Sequence, residues 1–400
     1  MLTPWRSKLR TISLIGPLLG AAVVVILIRL LRPVLRTRHR RTSSLWSGAP
    51  IHTLAVKAYS ERRLGVEART LVYTTYFLSD RFDYNLQRWR DRPIIGSLLP
   101  FVVFVWACWR FDRLHFFCDQ GLLPQFRTRQ FNPWELVFYR FLGKQVFFWT
   151  YGADVRTTQR TKALGQYNCC MACPNPGWHC VCDEQAGQSN HKTIARYATA
   201  VFSMGDMTTY TPGSINDVYF WPVDLEADAG RRYAPCYPSE KDDRPVRVVH
   251  APNHRYFKGT QVIIDAVEQL RAEGAPIELV LVEGLPNEQA LGIYRTADIV
   301  FDQCLIGFHG YFAHEAMALG KPVMCFIRRP NDYLLAPDEC PIINTPAPQV
   351  PAVLRRLVAD RRRLRQLGIQ GRRYIETYHT PQAFSERLAR KYATLGVSAS

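Results

Sequence analysis

The chain has 400 residues, 47% of them hydrophobic, enough to bury a large core and to suit two domains, so its eleven cysteines are not needed as a substitute for one. The formal net charge of +17 would suit a nucleic-acid binder if it were spread over a surface. Before Glu61 there is no acid at all, while Arg6, Lys8, Arg10, Arg29, Arg32, Arg36, Arg38, Arg40 and Arg41 crowd one apolar segment. More than half of the excess sits there, which argues against a nucleic-acid partner.

That segment, Ile12 to Leu31, is "ISLIGPLLGAAVVVILIRLL", with Arg29 its one charge. As a helix it is roughly 30 Å long, the hydrocarbon thickness of a bilayer, and Arg29 can snorkel to the interface. The heavier basic flank follows it, so the positive-inside rule predicts one N-terminal span of the inner (cytoplasmic) membrane, with the rest of the chain in the cytoplasm. A cleaved signal peptide competes, but no small-x-small site follows the run. A buried first strand over Val23–Ile28 is the other alternative.

From Ser47 the chain reads "SGAPIHTLAVKAYSERRLG", predicting a helix capped by Ser47 or Gly48, with Pro50 in its first turn and Gly65 after its end. "ARTLVYTTYF" follows as a strand. Ile94–Trp109 is apolar but short and carries a proline, which predicts a buried or membrane-touching helix. "RLHFFCDQG" and "KQVFFWTYGADVR" are strands ending in polar residues. Ligands of open α/β sheets bind at such carboxyl ends, which selects Asp119, Asp154 and Arg156, against an ordinary loop ion pair of Asp154 with Arg156.

Prolines and charges break all periodicity over 223–245, a linker. Beyond it "VRVVHAP", "IELVLVEG", "DIVFDQC" and "KPVMCFI" alternate with helical patterns, which means a parallel sheet with crossover helices. The predicted division is an anchor and basic flank over 1–45, an acceptor-side domain over 46–222 with a cysteine-rich insertion at 157–192, the linker, a second α/β domain over 246–378, and a closing helix over 379–400.

In "APNHRYFKGTQ", Asn253, Arg255 and Lys258 lie between a strand end and a helix N-terminus, a place that suits a diphosphate; a solvated basic loop is the plain alternative. In "IGFHGYFAHEAMALGKPV", Gly307 and Gly310 permit tight turns, His309 and Gly310 can approach the sugar or phosphate by backbone contacts unless His309 is a plain loop histidine, and Glu315 can accept from sugar or ribose hydroxyls or simply favour the helix dipole. Asp302 and Gln303 are secondary candidates, with a turn or capping role equally open.

"APNHRYFKGT", "ADIVFDQ" and "GFHGYFAHEAMALGKPV", in this order and spacing, resemble the nucleotide-sugar domain of GT-B glycosyltransferases of the retaining E-x7-E type, group 1 or family 4. The resemblance implies two Rossmann-like domains facing across a cleft. It also implies a transferase that moves a sugar from a nucleotide-diphosphate donor to a glycan, polysaccharide or lipid-linked acceptor, with no metal required for catalysis. It places Arg255 and Lys258 on the donor diphosphate, Glu315 on the donor ribose, and Asp154 and Arg156 at the cleft. "SLWSGAPIHT" resembles the opening loop of the acceptor domain, with Ser47 and Gly48 beside the acceptor, or Ser47 as a plain helix cap. "TPQAFSERLARKYATL" resembles the helix that returns to brace the first domain. Where the family has its first glutamate, eight residues before Glu315, this chain has Gly307. That departure keeps a non-catalytic GT-B scaffold or sugar-binding protein as the alternative.

"CCMACPNPGWHCVCD" begins at Cys169. Cys170, Cys173, Cys180 and Cys182 have spacing suited to a structural zinc; packed reduced thiols are the alternative, and a cytoplasmic location disfavours disulfides. Four sulfur ligands would leave no open position for catalysis.

Overall fold

In the computed structural model residues 4–35, 41–51, 53–76 and 82–398 are described, with side chains of the first helix placed over residues 15–30. Two all-parallel sheets carry the chain. The first, ordered β3-β2-β1-β4-β5-β6, comprises β1 Ser43–Ser47, β2 Glu67–Val72, β3 Tyr84–Asn85, β4 Arg113–Phe117, β5 Gln145–Trp149 and β6 Ala200–Phe202. The second, ordered β11-β10-β9-β7-β8, comprises β7 Val246–His250, β8 Ile277–Leu281, β9 Ile299–Gln303, β10 Val323–Cys325 and β11 Ile343–Asn344. Each sheet changes direction beside its first strand, between β1 and β4 and between β7 and β9, which opens a crevice at the carboxyl ends.

The helices that matter for the site are α1 Pro4–Leu35, α2 Thr53–Arg62, α3 Pro93–Arg110, α4 Pro133–Phe141, α5 Thr260–Ala272, α6 Asn287–Tyr294, α7 Tyr311–Ala318 and α8 Pro381–Thr394. Strands β6 and β10 are buried along their whole length and are apolar throughout, whereas the equally buried β4 and β9 also carry Arg113, His115, Asp302 and Gln303.

The expected helix start at Ser47 is corrected: Ser43–Ser47 is the buried central strand β1, and the helix begins at Thr53. Its serines look like loop residues, but partners from elsewhere satisfy them. Ser44 Oγ donates to Glu61 Oε2 at 2.5 Å and Ser47 Oγ to the Leu71 carbonyl at 2.8 Å. The buried face of α2 is Leu54, Lys57, Ala58 and Glu61, at helical spacing.

Val23–Ile28 is helical, within α1. Among the described residues α3 is the one helix long and apolar enough to cross a membrane, and the apolar stretch Ile15–Leu30 of α1 is shorter. Arg36, Arg38 and Arg40 of the basic flank lie outside the described residues. Helix α8 returns from the second domain to pack on α2, where Tyr392 Oη donates to Glu61 Oε1 at 3.0 Å.

Candidate functional site

Lys258 and Asp302 form the centre of the second domain's half. The turn after β7 brings the Lys258 ammonium to 2.6 Å from Asp302 Oδ1, and Asp302 Oδ2 accepts from the Gly310 N–H at 2.5 Å. Burial works against the Asp302 charge, but Lys258 and the Gly310 N–H outweigh it and hold the carboxyl below its usual range. A Cβ on Gly310 would lie 3.0 Å from Lys258 Nζ and 3.3 Å from Asp302 Oδ1, so glycine lets the α7 entry close on this pair.

Gln303 shapes the same loop: its amide donates to the Phe308 and Phe326 carbonyls at 3.1 and 2.7 Å, and its Oε1 accepts from Ile306 N at 2.6 Å. His309 is buried against Trp221 and His314, and burial pulls its pKa down to about 4, leaving the ring neutral near pH 7. Glu315 is buried in α7, its Oε1 accepting from Tyr233 Oη at 2.9 Å and Asn287 Nδ2 at 3.0 Å. Asn253 is exposed on the loop. Arg255 turns away from Lys258 into a fork with Glu283, at 2.9 and 2.5 Å, on a side chain that is 57% exposed.

Gly307 has φ +92°, and a Cβ there would meet Arg328 Nε at 2.8 Å. The Arg328 guanidinium fills that space and crosses to the first domain, donating to the Leu164 and Tyr167 carbonyls at 2.9 and 2.8 Å. Gly307→Glu is therefore expected to destabilise the fold by about 1–3 kcal/mol rather than restore a family contact. A melting temperature equal to or above that of the wild type would refute this.

On the first domain, Asp119 follows β4 almost fully buried. Tyr151 Oη donates to its Oδ2 at 2.8 Å, while Oδ1 has no hydrogen-bond partner among the described residues. Burial pushes the Asp119 carboxyl up, and burial plus the nearness of Asp119 does the same for Asp154. Asp154 clamps the strand ends, accepting from Tyr151 N and Gly152 N at 2.9 Å and Cys118 N at 3.2 Å. Arg156 pairs with Asp206 at 2.7 Å, not with Asp154. Ser47 Oγ is spent on the sheet, and Gly48, at φ +117°, permits close passage of Phe117 and the Gln120 carbonyl.

Sequence reasoning missed Lys57. Its ammonium is buried over the Phe117, Phe220 and Trp149 rings, at 5.2, 4.8 and 5.7 Å, without a hydrogen-bond partner among the described residues. Burial draws its pKa down to about 7, with Asp154 pulling the other way. A lysine three residues after Leu54, on the apolar face of α2, was the available signal. Asp206 and Arg328 carried none, since their partners are remote in sequence.

Cys170, Cys173, Cys180 and Cys182 line one cavity of about 210 Å³, closed by Phe257 of the second domain. The His179 and His254 rings also meet across the domains, at 3.8 Å. The sulfurs turn to different partners: Cys182 Sγ accepts from Gly177 N at 3.1 Å, while Cys170 neighbours Cys169. Among the described residues no three His, Cys, Asp or Glu side chains are placed to hold a metal ion, and all the cysteines are free thiols. The arrangement does not match a preformed zinc site.

No protein-family model and no curated protein matches the sequence. Among solved structures the chain is similar to sucrose-phosphate synthase from Thermosynechococcus elongatus, at 14% identity over 89% of this chain and 99% of that one, with TM-score 0.56. It is similar to the catalytic domain of starch synthase IV from Arabidopsis thaliana, bound to ADP and acarbose, at 11% identity over 88% and 100% of the two chains, with TM-score 0.53. It is also similar to WaaG, a glycosyltransferase involved in lipopolysaccharide biosynthesis, at 11% identity, 88% and 99% coverage and TM-score 0.51. At these identities the likeness establishes the fold: two parallel-sheet α/β domains in the GT-B arrangement.

Proposed function

We propose that this chain is a glycosyltransferase that moves a sugar from a nucleotide-diphosphate donor to a glycan, polysaccharide or lipid-linked acceptor at the cytoplasmic face of a membrane. The observation that carries the reading is the Lys258 ammonium, held 2.6 Å from buried Asp302 at the mouth of the second sheet. An ammonium has three donors, of which Asp302 takes one, so the others are available to diphosphate oxygens. Asp302 fixes the position of that charge before the donor arrives, which makes it a positioning residue.

In this reading Lys258 meets the charge that develops on the leaving diphosphate, the work a divalent ion does in other transferases. Glu315, set by Tyr233 and Asn287, borders the nucleoside end. Across the cleft we assign the orienting of an acceptor hydroxyl to Asp119, whose buried Oδ1 has no hydrogen-bond partner among the described residues. We take the transfer to be retaining, from the likeness of the Gly307–Val323 stretch to the E-x7-E type.

Two observations favour the second reading, a GT-B scaffold or sugar-binding protein without turnover. Arg255 is engaged by Glu283, and Arg328 occupies the space beside Gly307. A thermal-shift screen with UDP-, GDP- and ADP-sugars tests the main reading, which expects stabilisation by one nucleotide class. No response to any of them would sink it, and a response without turnover would support the scaffold.

A further inference from the structure

Three helices of the first domain share one unpartnered apolar face. Helix α1 packs along α3 through buried Ala21, Val25 and Ile28, and its Arg29 lies 4.8 Å over the Phe141 ring of α4. Helices α3 and α4 meet through Phe104 and Phe138, 5.8 Å apart. Outward, Leu19 and Val23 of α1, Leu98, Val102 and Trp109 of α3, and Trp134 of α4 are all exposed, Val102 by 64%. Large apolar side chains left exposed on helices packed against one another mark a docking surface. Because α3 buries its other side on the domain core through Phe101, Phe104 and Ala107, it cannot cross a bilayer without that core, so the face suits in-plane contact. Exposed Arg88, Arg90 and Arg92 precede α3 and supply the positive rim that an anionic lipid surface attracts.

A cavity of about 420 Å³ opens between Gly96, Ser97 and Pro100 of α3 and the loop Gln120–Gln125, which leaves β4 directly after Asp119. Arg90 and Gln125 also line it, and Gln125 donates to the Asp119 carbonyl. Leu98, one residue from the cavity wall, belongs to the apolar face. Cavity and apolar face are thus carried by the same helix, α3, and the cavity's far wall is the loop that follows Asp119.

We propose that the α1–α3–α4 face rests in the bilayer interface and that this cavity takes the anionic headgroup of a lipid-linked acceptor, presenting its hydroxyl beside Asp119. This rests on the glycosyltransferase reading and narrows its acceptor to one carried by a membrane lipid. The Arg90 guanidinium supplies the cation for a headgroup phosphate, and the apolar face holds the chains.

The full chain is mixed with vesicles of phosphatidylcholine and phosphatidylglycerol bearing brominated acyl chains, and tryptophan fluorescence is recorded. Quenching is expected in the wild type, and the Trp109→Phe/Trp134→Phe variant is expected to lose most of it. With lipids extracted from the source cells and the labelled donor whose nucleotide gave the thermal shift, label is expected in the organic phase. Ser97→Phe, which fills the cavity, is expected to lower that incorporation roughly tenfold or more while bromolipid quenching persists. Quenching that is unchanged in the double variant would leave α1 as the sole membrane contact and overturn the in-plane face. Self-association that shields both tryptophans without vesicles would assign the face to a second copy and overturn it too. Label confined to water-soluble glycan would overturn the lipid-linked acceptor. If vesicles quench normally but no nucleotide shifts the melting temperature, the transferase reading fails while the membrane face stands.

Discussion

Lys258→Ala is expected to lower donor turnover by about two to three orders of magnitude, the loss of ~3–4 kcal/mol that follows removal of one preorganised group at a charge-developing centre. The same change strands Asp302, which is fully buried and would keep the Gly310 N–H and the weak Cys325 thiol donor at 3.7 Å. Uncompensated burial of that charge is expected to cost roughly 3 kcal/mol of stability, so activity alone would be an ambiguous readout. The Lys258→Ala/Asp302→Asn variant removes the stranded charge and is expected to regain most of the stability without regaining turnover. Lys258→Arg keeps the charge but not the compact geometry and should recover nucleotide binding in part. Wild-type turnover in a folded Lys258→Ala protein would sink the assignment.

Glu61→Ala is expected to be the most damaging single change to the fold, at about 3–5 kcal/mol by urea midpoint. Glu61 is fully buried and ties three elements together: it accepts from Ser44 Oγ and Trp46 Nε1 of β1, at 2.5 and 2.7 Å, and from Tyr392 Oη of α8 at 3.0 Å. Arg113 NH1 and His115 Nε2 lie 3.6 and 3.5 Å from it. Burial alone would raise its pKa. His115 and the Ser44 and Trp46 donors bring it down instead, to about 2 from the ordinary 4.5. Burial also lowers His115, so its ring is neutral near pH 7, where the hydroxyl and indole donors carry the effect.

A carboxyl depressed on folding contributes stability above its unfolded pKa and loses it as pH falls through its folded one. The wild type should therefore shed about 3 kcal/mol between pH 4.5 and 2 on account of Glu61. Glu61→Gln should start lower at pH 7 and lack that component of the acid-induced fall. Parallel stability curves for the two proteins over this range would contradict the assignment.

Both predictions rest on groups that the sequence displays unequally. Lys258 was legible because it stands between a strand and a helix beside a glycine, where a cation has an obvious use. Glu61 was not, since it follows serine on a polar stretch of helix and acquires its partners from β1 and from α8, more than 300 residues away. Lys57 was half legible: its place on the apolar side of α2 is apparent, but the aromatic cage around it is assembled from β4, β5 and Phe220.

The sequence by itself determined the two α/β domains, because strands buried on both faces are mostly apolar and crossover helices repeat their apolar positions at helical spacing. It also placed Asp302 and Asp119 at strand ends, and Lys258 and Gly310 in the segments leading into the following helices, since chain order alone puts them there. Tertiary structure decided what local pattern cannot carry. Ser43–Ser47 became a central strand once Glu61 and the Leu71 carbonyl satisfied its hydroxyls. Of two neighbouring cations, Arg255 was drawn out by Glu283 and Lys258 was held in by Asp302. Gly307 became obligatory because Arg328 fills its space, and three separate apolar helices were brought together by contacts between them. Each of these depends on a partner distant in sequence, and the free energy of a buried charge or a filled contact exists only once that partner arrives.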